Sequence, residues 1–146
     1  VGIQRAILHA CARYVRIGGT LGHGFPFGRS WAEFEASDDY KFLKELENTE
    51  LPTVCLAHTP DTIVCNCAHD YWHTDLFVSG HTHGGVIRVP FVGGLYAPIQ
   101  EWWPHYDMGH FTLGEHIQIV ISSGLAGYEF VPRIFNRPEI CVMELT

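Results

Sequence analysis

Ser79-Gly80-His81-Thr82-His83-Gly84-Gly85 places two histidines one residue apart, with glycine on both sides. Neutral imidazole is a good nitrogen ligand for transition metals. Two such rings can hold one ion or two neighbouring ones. The preceding run, Asp75-Leu76-Phe77-Val78, reads as a short buried strand. The histidines therefore fall where a strand gives way to a loop. In an extended segment residues i and i+2 face the same side, which would bring His81 and His83 together. The glycines permit a sharp turn and a close backbone approach to an ion. The alternative is a histidine-rich turn that holds nothing.

A third histidine occupies a matching place. Pro52-Thr53-Val54-Cys55-Leu56-Ala57 reads as a buried strand, and His58 stands at its C-terminal end. Thr59 suits a helix N-cap, Pro60 the first helical position and Asp61 the first turn, with a helix expected to about Tyr71. The strand–helix–strand from Val54 to Val78 makes a βαβ unit with parallel neighbours. His58 and His81 then emerge on the same edge of the sheet, where α/β proteins place ligands. Alone, His58 reads as a core histidine bonded to backbone. Beside the second strand end it reads as a ligand.

At these residues the sequence resembles a known family. Gly80-His81-Thr82-His83 is similar to the last signature of the calcineurin-like metallophosphoesterases. Ser79 to Gly85 followed by Val86-Ile87-Arg88-Val89-Pro90 resembles a bacterial branch of that family. So do Leu56-Ala57-His58-Thr59-Pro60-Asp61 and Ile121-Ser122-Ser123-Gly124-Leu125. The branch includes broad-specificity phosphodiesterases and lipid-A-precursor-type pyrophosphatases. The resemblance runs from about Ile17 to the end. It implies a metal-dependent phosphoester hydrolase of the phosphodiesterase or phosphomonoesterase type, working by two-metal hydroxide attack on phosphorus. It implies two divalent ions (Mn, Fe or Zn), with His58 and His81 on one and His83 on the other. The implied substrate is a small-molecule or lipid phosphoester. The implied fold is α/β, a four-layer α/β/β/α sandwich with a mixed sheet. Residues 1–146 would be the C-terminal half of that domain, with the N-terminal half missing.

The family's other ligands lie in Asp-x-His, Gly-Asp and Gly-Asn-His-Asp/Glu motifs. No Asp-x-His and no Gly-Asp occurs here, and Asn48, Asn66 and Asn136 fit no Gly-Asn-His. Holding two dications about 3.5–4 Å apart needs a bridging carboxylate as well as neutral nitrogens. This chain by itself is therefore expected to have little hydrolase activity. Two other readings stay open. One is a non-catalytic metal- or partner-binding module. The other is a divergent enzyme that uses Asp61, His23 or His105.

The composition bounds these readings. A chain of 146 residues suffices for one domain with a substantial core. A net charge of −7 argues against a nucleic-acid surface. The five cysteines, Cys11, Cys55, Cys65, Cys67 and Cys141, suggest no disulfide framework, and Cys65-Asn66-Cys67 is not the usual zinc spacing. A reducing compartment follows, either cytoplasmic or peripheral to a membrane. No run approaches the ~20 apolar residues that span a bilayer. No signal peptide is visible, yet the chain begins at Val1, so a preceding segment is expected.

The remaining elements are supports. Ile3 to Ala12 suggests a short helix or a cut end, and Tyr14-Val15-Arg16-Ile17 a strand stopped by Gly18-Gly19. Leu21 to Arg29 reads as a loop that carries His23. Ser37 is a candidate N-cap for a helix ending near Asn48. Val86 to Val89 reads as a strand. Gln100 to Gly109 carries Trp102, Trp103, His105 and Tyr106, which either line a pocket or cover the core. Phe111 to Leu113 and Ile117 to Ile121 suggest a hairpin around Gly114-Glu115. The small-residue loop Ser122 to Gly127 follows, and Ile140 to Leu145 reads as a final strand.

Overall fold

Ile117-Gln118-Ile119-Val120-Ile121 alternates in burial, and its three isoleucines turn to one face and are fully buried. Around them the computed structural model describes residues 16–21, 35–36, 38–48, 50–64, 72–127 and 130–144. The elements in chain order are β1 (Arg16–Leu21), α1 (Asp38–Glu47), β2 (Thr53–Ala57), α2 (Asp61–Val64) and β3 (Leu76–Ser79). Four two-residue strands come next: β4 (Arg88–Val89), β5 (Gly93–Gly94), β6 (Tyr96–Ala97) and β7 (Glu101–Trp102). Last come β8 (Gly109–Leu113) and β9 (Ile117–Ile121).

The main sheet has the order β1-β2-β3-β9-β8. The first four strands run parallel, and β8 closes the edge antiparallel to β9. This is the mixed α/β arrangement expected from the strand–helix–strand pattern. β4 pairs with β5, and β6 with β7, as separate small ribbons. The β8–β9 hairpin turns through Gly114, Glu115 and His116, with Gly114 at φ 60°.

The core gathers Cys55, Ala57, Ile63, Trp72, Phe77, Leu113, Ile117, Ile119 and Ile121. Burying each large side chain among them contributes roughly 1.5–3 kcal/mol. From α1, Tyr40 sets its ring edge-on to Trp72 at 5.7 Å, and the Lys44 ammonium covers both rings. The helix therefore lies over the core by an aromatic contact with a cation at its rim.

One clasp sets the register between β2 and β3. Asp75 Oδ2 accepts from the Thr53 amide (2.7 Å) and hydroxyl (2.9 Å), and Thr53 Oγ1 accepts from the Asp75 amide (3.0 Å). It ties the starts of β2 and β3 so that Val54 faces Leu76. The same 22-residue offset then holds along the pair and sets Gly80 level with His58, whose carbonyl accepts from the Gly80 amide at 3.2 Å.

Several expectations are corrected. Gly18-Gly19 does not stop β1; the strand passes through them with a register shift between Ile17 and Thr20, which residues lacking Cβ absorb easily. In α2 the first carbonyl to accept is that of Pro60, one residue after the expected Thr59 cap. Ile140 to Glu144 forms no strand among the described residues. Its burial alternates as a strand's would, but Ile140 and Val142 are exposed and no ladder partner is present there. Ile3–Ala12, Tyr14, Val15, His23, the Ser37 cap, Cys11, Cys65, Cys67 and the stretch up to Tyr71 lie outside the described residues.

Candidate metal centre

Three parallel strands deliver their C-terminal ends to one edge. His58 follows β2, Gly80-His81 follows β3 and Ser122 follows β9, with the Ser122 amide donating to the Ser79 carbonyl at 2.9 Å. At this edge His58 Nε2 and His81 Nδ1 stand 3.1 Å apart, their rings edge to face with centroids 4.8 Å apart. His58 is exposed and His81 half-buried.

The 3.1 Å separation suits a hydrogen bond between the two rings, one nitrogen carrying the hydrogen, and it also lies near the spacing of two metal-bound nitrogens. Two nitrogens bound to a tetrahedral zinc ion, each about 2.0–2.1 Å from it, lie about 3.3 Å from one another. The observed separation is close to that, and both nitrogens belong to side chains that can be neutral donors. His83 is placed differently. Its Nδ1 lies 3.3 Å from the Ala126 carbonyl oxygen in the loop after β9. Among the described residues, no group of three or more His, Cys, Asp and Glu side chains converges as a ready metal cage.

The histidine loop is not extended, so the alternation argument does not explain it. His81 has φ 67°, and the Thr82 amide donates to the Gly80 carbonyl at 2.8 Å, a γ-turn of the strained, positive-φ kind. His83 (φ 51°), Gly84 (64°), Gly85 (76°) and Val86 (53°) continue in the left-handed region. Overlapping bonds from Gly85 N to Thr82 O and from Val86 N to His83 O close the turns. Each non-glycine residue held there costs on the order of 1 kcal/mol, so surrounding contacts must impose the path. Thr82 is the anchor between the two histidines, fully buried with its hydroxyl donating to the Asp107 carbonyl at 2.6 Å.

Three further residues hold the loop and a fourth holds the neighbouring loop after β9, and none was visible as a site residue in the sequence. Asp107 Oδ2 accepts from Arg88 Nη1 and from the Gly94 amide, both at 2.7 Å, and Arg88 Nη1 also reaches the Gly84 carbonyl. Asn136 Nδ2 donates to the His83 carbonyl (2.6 Å) and the Val86 carbonyl (2.9 Å). Arg133 donates to loop carbonyls after β9. Their partners lie up to 53 residues away in the chain, which local spacing cannot reveal.

The other candidates fall elsewhere. Asp61 is buried at the start of α2, and burial pushes its carboxyl up, opposed by hydrogen bonds from Gln100 and from its own backbone amide. His105 is exposed, with its ring against Tyr106. Tyr106 and Phe111 pack on the core, whereas Trp102 and Trp103 are exposed. Cys55 is buried in the core and Cys141 half-buried, and neither forms a disulfide. No helix among the described residues is long and apolar enough to cross a membrane.

Comparison with known proteins finds several relatives. The chain is 38% identical over 95 residues to phosphodiesterase YaeI of Escherichia coli, covering 65% of this chain and 33% of that protein. It is 34% identical over 98 residues to the uncharacterized metallophosphoesterase Cj0846 of Campylobacter jejuni, covering 67% and 24%. It is 32% identical over 107 residues to the uncharacterized metallophosphoesterase YkuE of Bacillus subtilis, covering 73% and 35%. The chain thus spans about a third or less of the length of these curated relatives. No family model matches the sequence, and no solved structure matches it.

Proposed function

We propose, for a chain that belongs as a portion to the metallophosphoesterases, that it supplies the histidine side of a metal-dependent phosphoester hydrolase. The observation that carries this is the 3.1 Å approach of His58 Nε2 to His81 Nδ1 at adjacent parallel strand ends. His58 and His81 would hold one divalent ion and His83 a second, in the calcineurin-like manner. The ions when bound supply a nucleophile at neutral pH and neutralise charge on the phosphate oxygens. The role of this chain's residues is to present neutral nitrogens in a fixed geometry. Thr82 and Asp107 hold the backbone between the two histidines, and Asn136 holds the His83 carbonyl.

The sheet described here would be one layer of a four-layer sandwich. Carboxylates from the other half would complete the pair of metal sites, and a small-molecule or lipid phosphoester would be the substrate. The test uses a chromogenic phosphodiester and Mn²⁺. The chain alone is expected to bind metal with turnover near the blank. Joined to a segment carrying Asp-x-His and Gly-Asn-His motifs, it should hydrolyse the ester in a chelator-sensitive manner. High chelator-sensitive turnover by the chain alone would overturn its incompleteness. No turnover in the joined protein would favour the non-catalytic, metal-binding reading.

A further inference from the structure

The backbone after His58 is buried although His58 itself is not. Thr59 and Asp61 are 5% and 3% exposed and Pro60 is fully buried, while His58 stands exposed at the end of β2. An exposed ring pays rotamer entropy to keep one place beside His81, so the chain that carries it must be held firmly.

Asp61 supplies such a hold. Its carboxyl group accepts from the Gln100 side chain. Gln100 also grips both backbone polar groups of Tyr106: its Nε2 donates to the Tyr106 carbonyl at 3.1 Å, and its Oε1 accepts from the Tyr106 amide at 3.0 Å. The two hydrogens on one amide nitrogen suffice for the Asp61 and Tyr106 bonds together. Tyr106 is a firm post, its ring edge-on to Phe111 at 5.1 Å and packed against the core. The next residue, Asp107, accepts the Thr82 hydroxyl on its carbonyl at 2.6 Å, and Thr82 lies between His81 and His83. A brace from the His58 side and a brace from the His81 side therefore end on two consecutive residues.

We propose that Asp61 is a positioning residue: through Gln100 and Tyr106 it ties the turn after His58 to the segment that anchors Thr82, and so sets the His58 ring against that of His81. An acid that served only the start of α2 would act through nearby backbone amides and would not depend on Gln100. The proposal rests on the metal-centre reading for its purpose, but the ring contact can be measured without any metal.

The experiment is ¹⁵N side-chain NMR of histidine in the metal-free chain at about pH 8, read for a coupling across a hydrogen bond between the two rings. Zn²⁺ affinity is measured beside it by competition with a chelating dye. Wild type should show the coupling between one His58 nitrogen and one His81 nitrogen. Asp61→Ala and Gln100→Ala should abolish it and weaken Zn²⁺ binding by about 10–100-fold, the usual cost of losing a ligand's supporting partner. Asp61→Asn, whose amide oxygen still accepts from Gln100, should restore both. Leu113→Ala, a core truncation at the turn end of the sheet, should lower stability and leave the coupling in place. Should Asp61→Ala unfold, the Gln100→Ala spectrum decides, since Gln100 is only half-buried. A folded Gln100→Ala protein with the coupling unchanged would overturn the proposal. So would absence of the coupling from wild type, or its equal loss in Leu113→Ala. Loss of the coupling in Gln100→Ala, in a chain that binds no Zn²⁺ even as wild type, would sustain the positioning role and count against the metal reading instead.

Discussion

Gly85 and Gly94 lie back to back: a Cβ on Gly85 would stand 2.4 Å from the Gly94 Cα, and one on Gly94 would stand 2.8 Å from the Gly85 Cα. Gly85 also has φ 76°. The contact draws the histidine loop against β5, and only a residue without a side chain permits it. Gly85→Ala should therefore destabilise the fold by at least ~2 kcal/mol, from the left-handed backbone and the overlap together. Urea unfolding followed by circular dichroism reads this directly. A change below about 0.5 kcal/mol, within ordinary surface-substitution effects, would show that the two backbones separate freely.

Asp107 is the second support of the same loop. It is buried and accepts from Arg88, from the Gly94 amide and from its own neighbour Met108, while its carbonyl receives the Thr82 hydroxyl. Asp107→Ala leaves a partly buried guanidinium and a buried amide without their carboxylate. The expected cost is about 3 kcal/mol, and Asp107→Asn should cost less because the amide oxygen can still accept. Equal stability of Asp107→Ala and wild type in denaturant titrations would refute the clamp.

Asp61 gives the fold a pH signature of known sign. Burial raises its pKa above the ordinary 3.8, so the folded chain holds this proton more tightly than the unfolded chain. Its contribution to stability is therefore fully present below 3.8 and is lost as pH rises through the folded value. Asp61→Asn removes that dependence. The stability of the variant relative to wild type should grow as pH is raised from 3.8 upward through this window. A difference between the two proteins that stays flat with pH would contradict the burial effect.

The sequence pattern specified the part of this fold that depends on short-range order. Val54 to Ala57 and Leu76 to Ser79 were legible as buried strands because their apolar runs are bounded by turn residues, and the helix between them dictated a parallel pair. The Thr53–Asp75 clasp then fixes which residues stand level, and it puts His58 beside Gly80-His81 as the strand ends implied. The path of the loop after Gly80 was not legible. Alternation predicted an extended His81-Thr82-His83, whereas long-range contacts from Asp107, Arg88 and Asn136 impose a left-handed turn. Local propensity would not choose positive φ for Val86. Gly18-Gly19 misled for the opposite reason: paired against β2, a strand can continue through glycines that on their own signal a break.

The most direct measurement is metal content by mass spectrometry on the purified chain, with His81→Ala and His58→Ala beside it. The metal-centre account predicts bound Mn, Fe or Zn in wild type and its loss in both variants, because His58 Nε2 and His81 Nδ1 are 3.1 Å apart and act as one donor pair. Absence of metal in wild type after growth or dialysis with these ions, or retention of the full amount in His81→Ala, would contradict it.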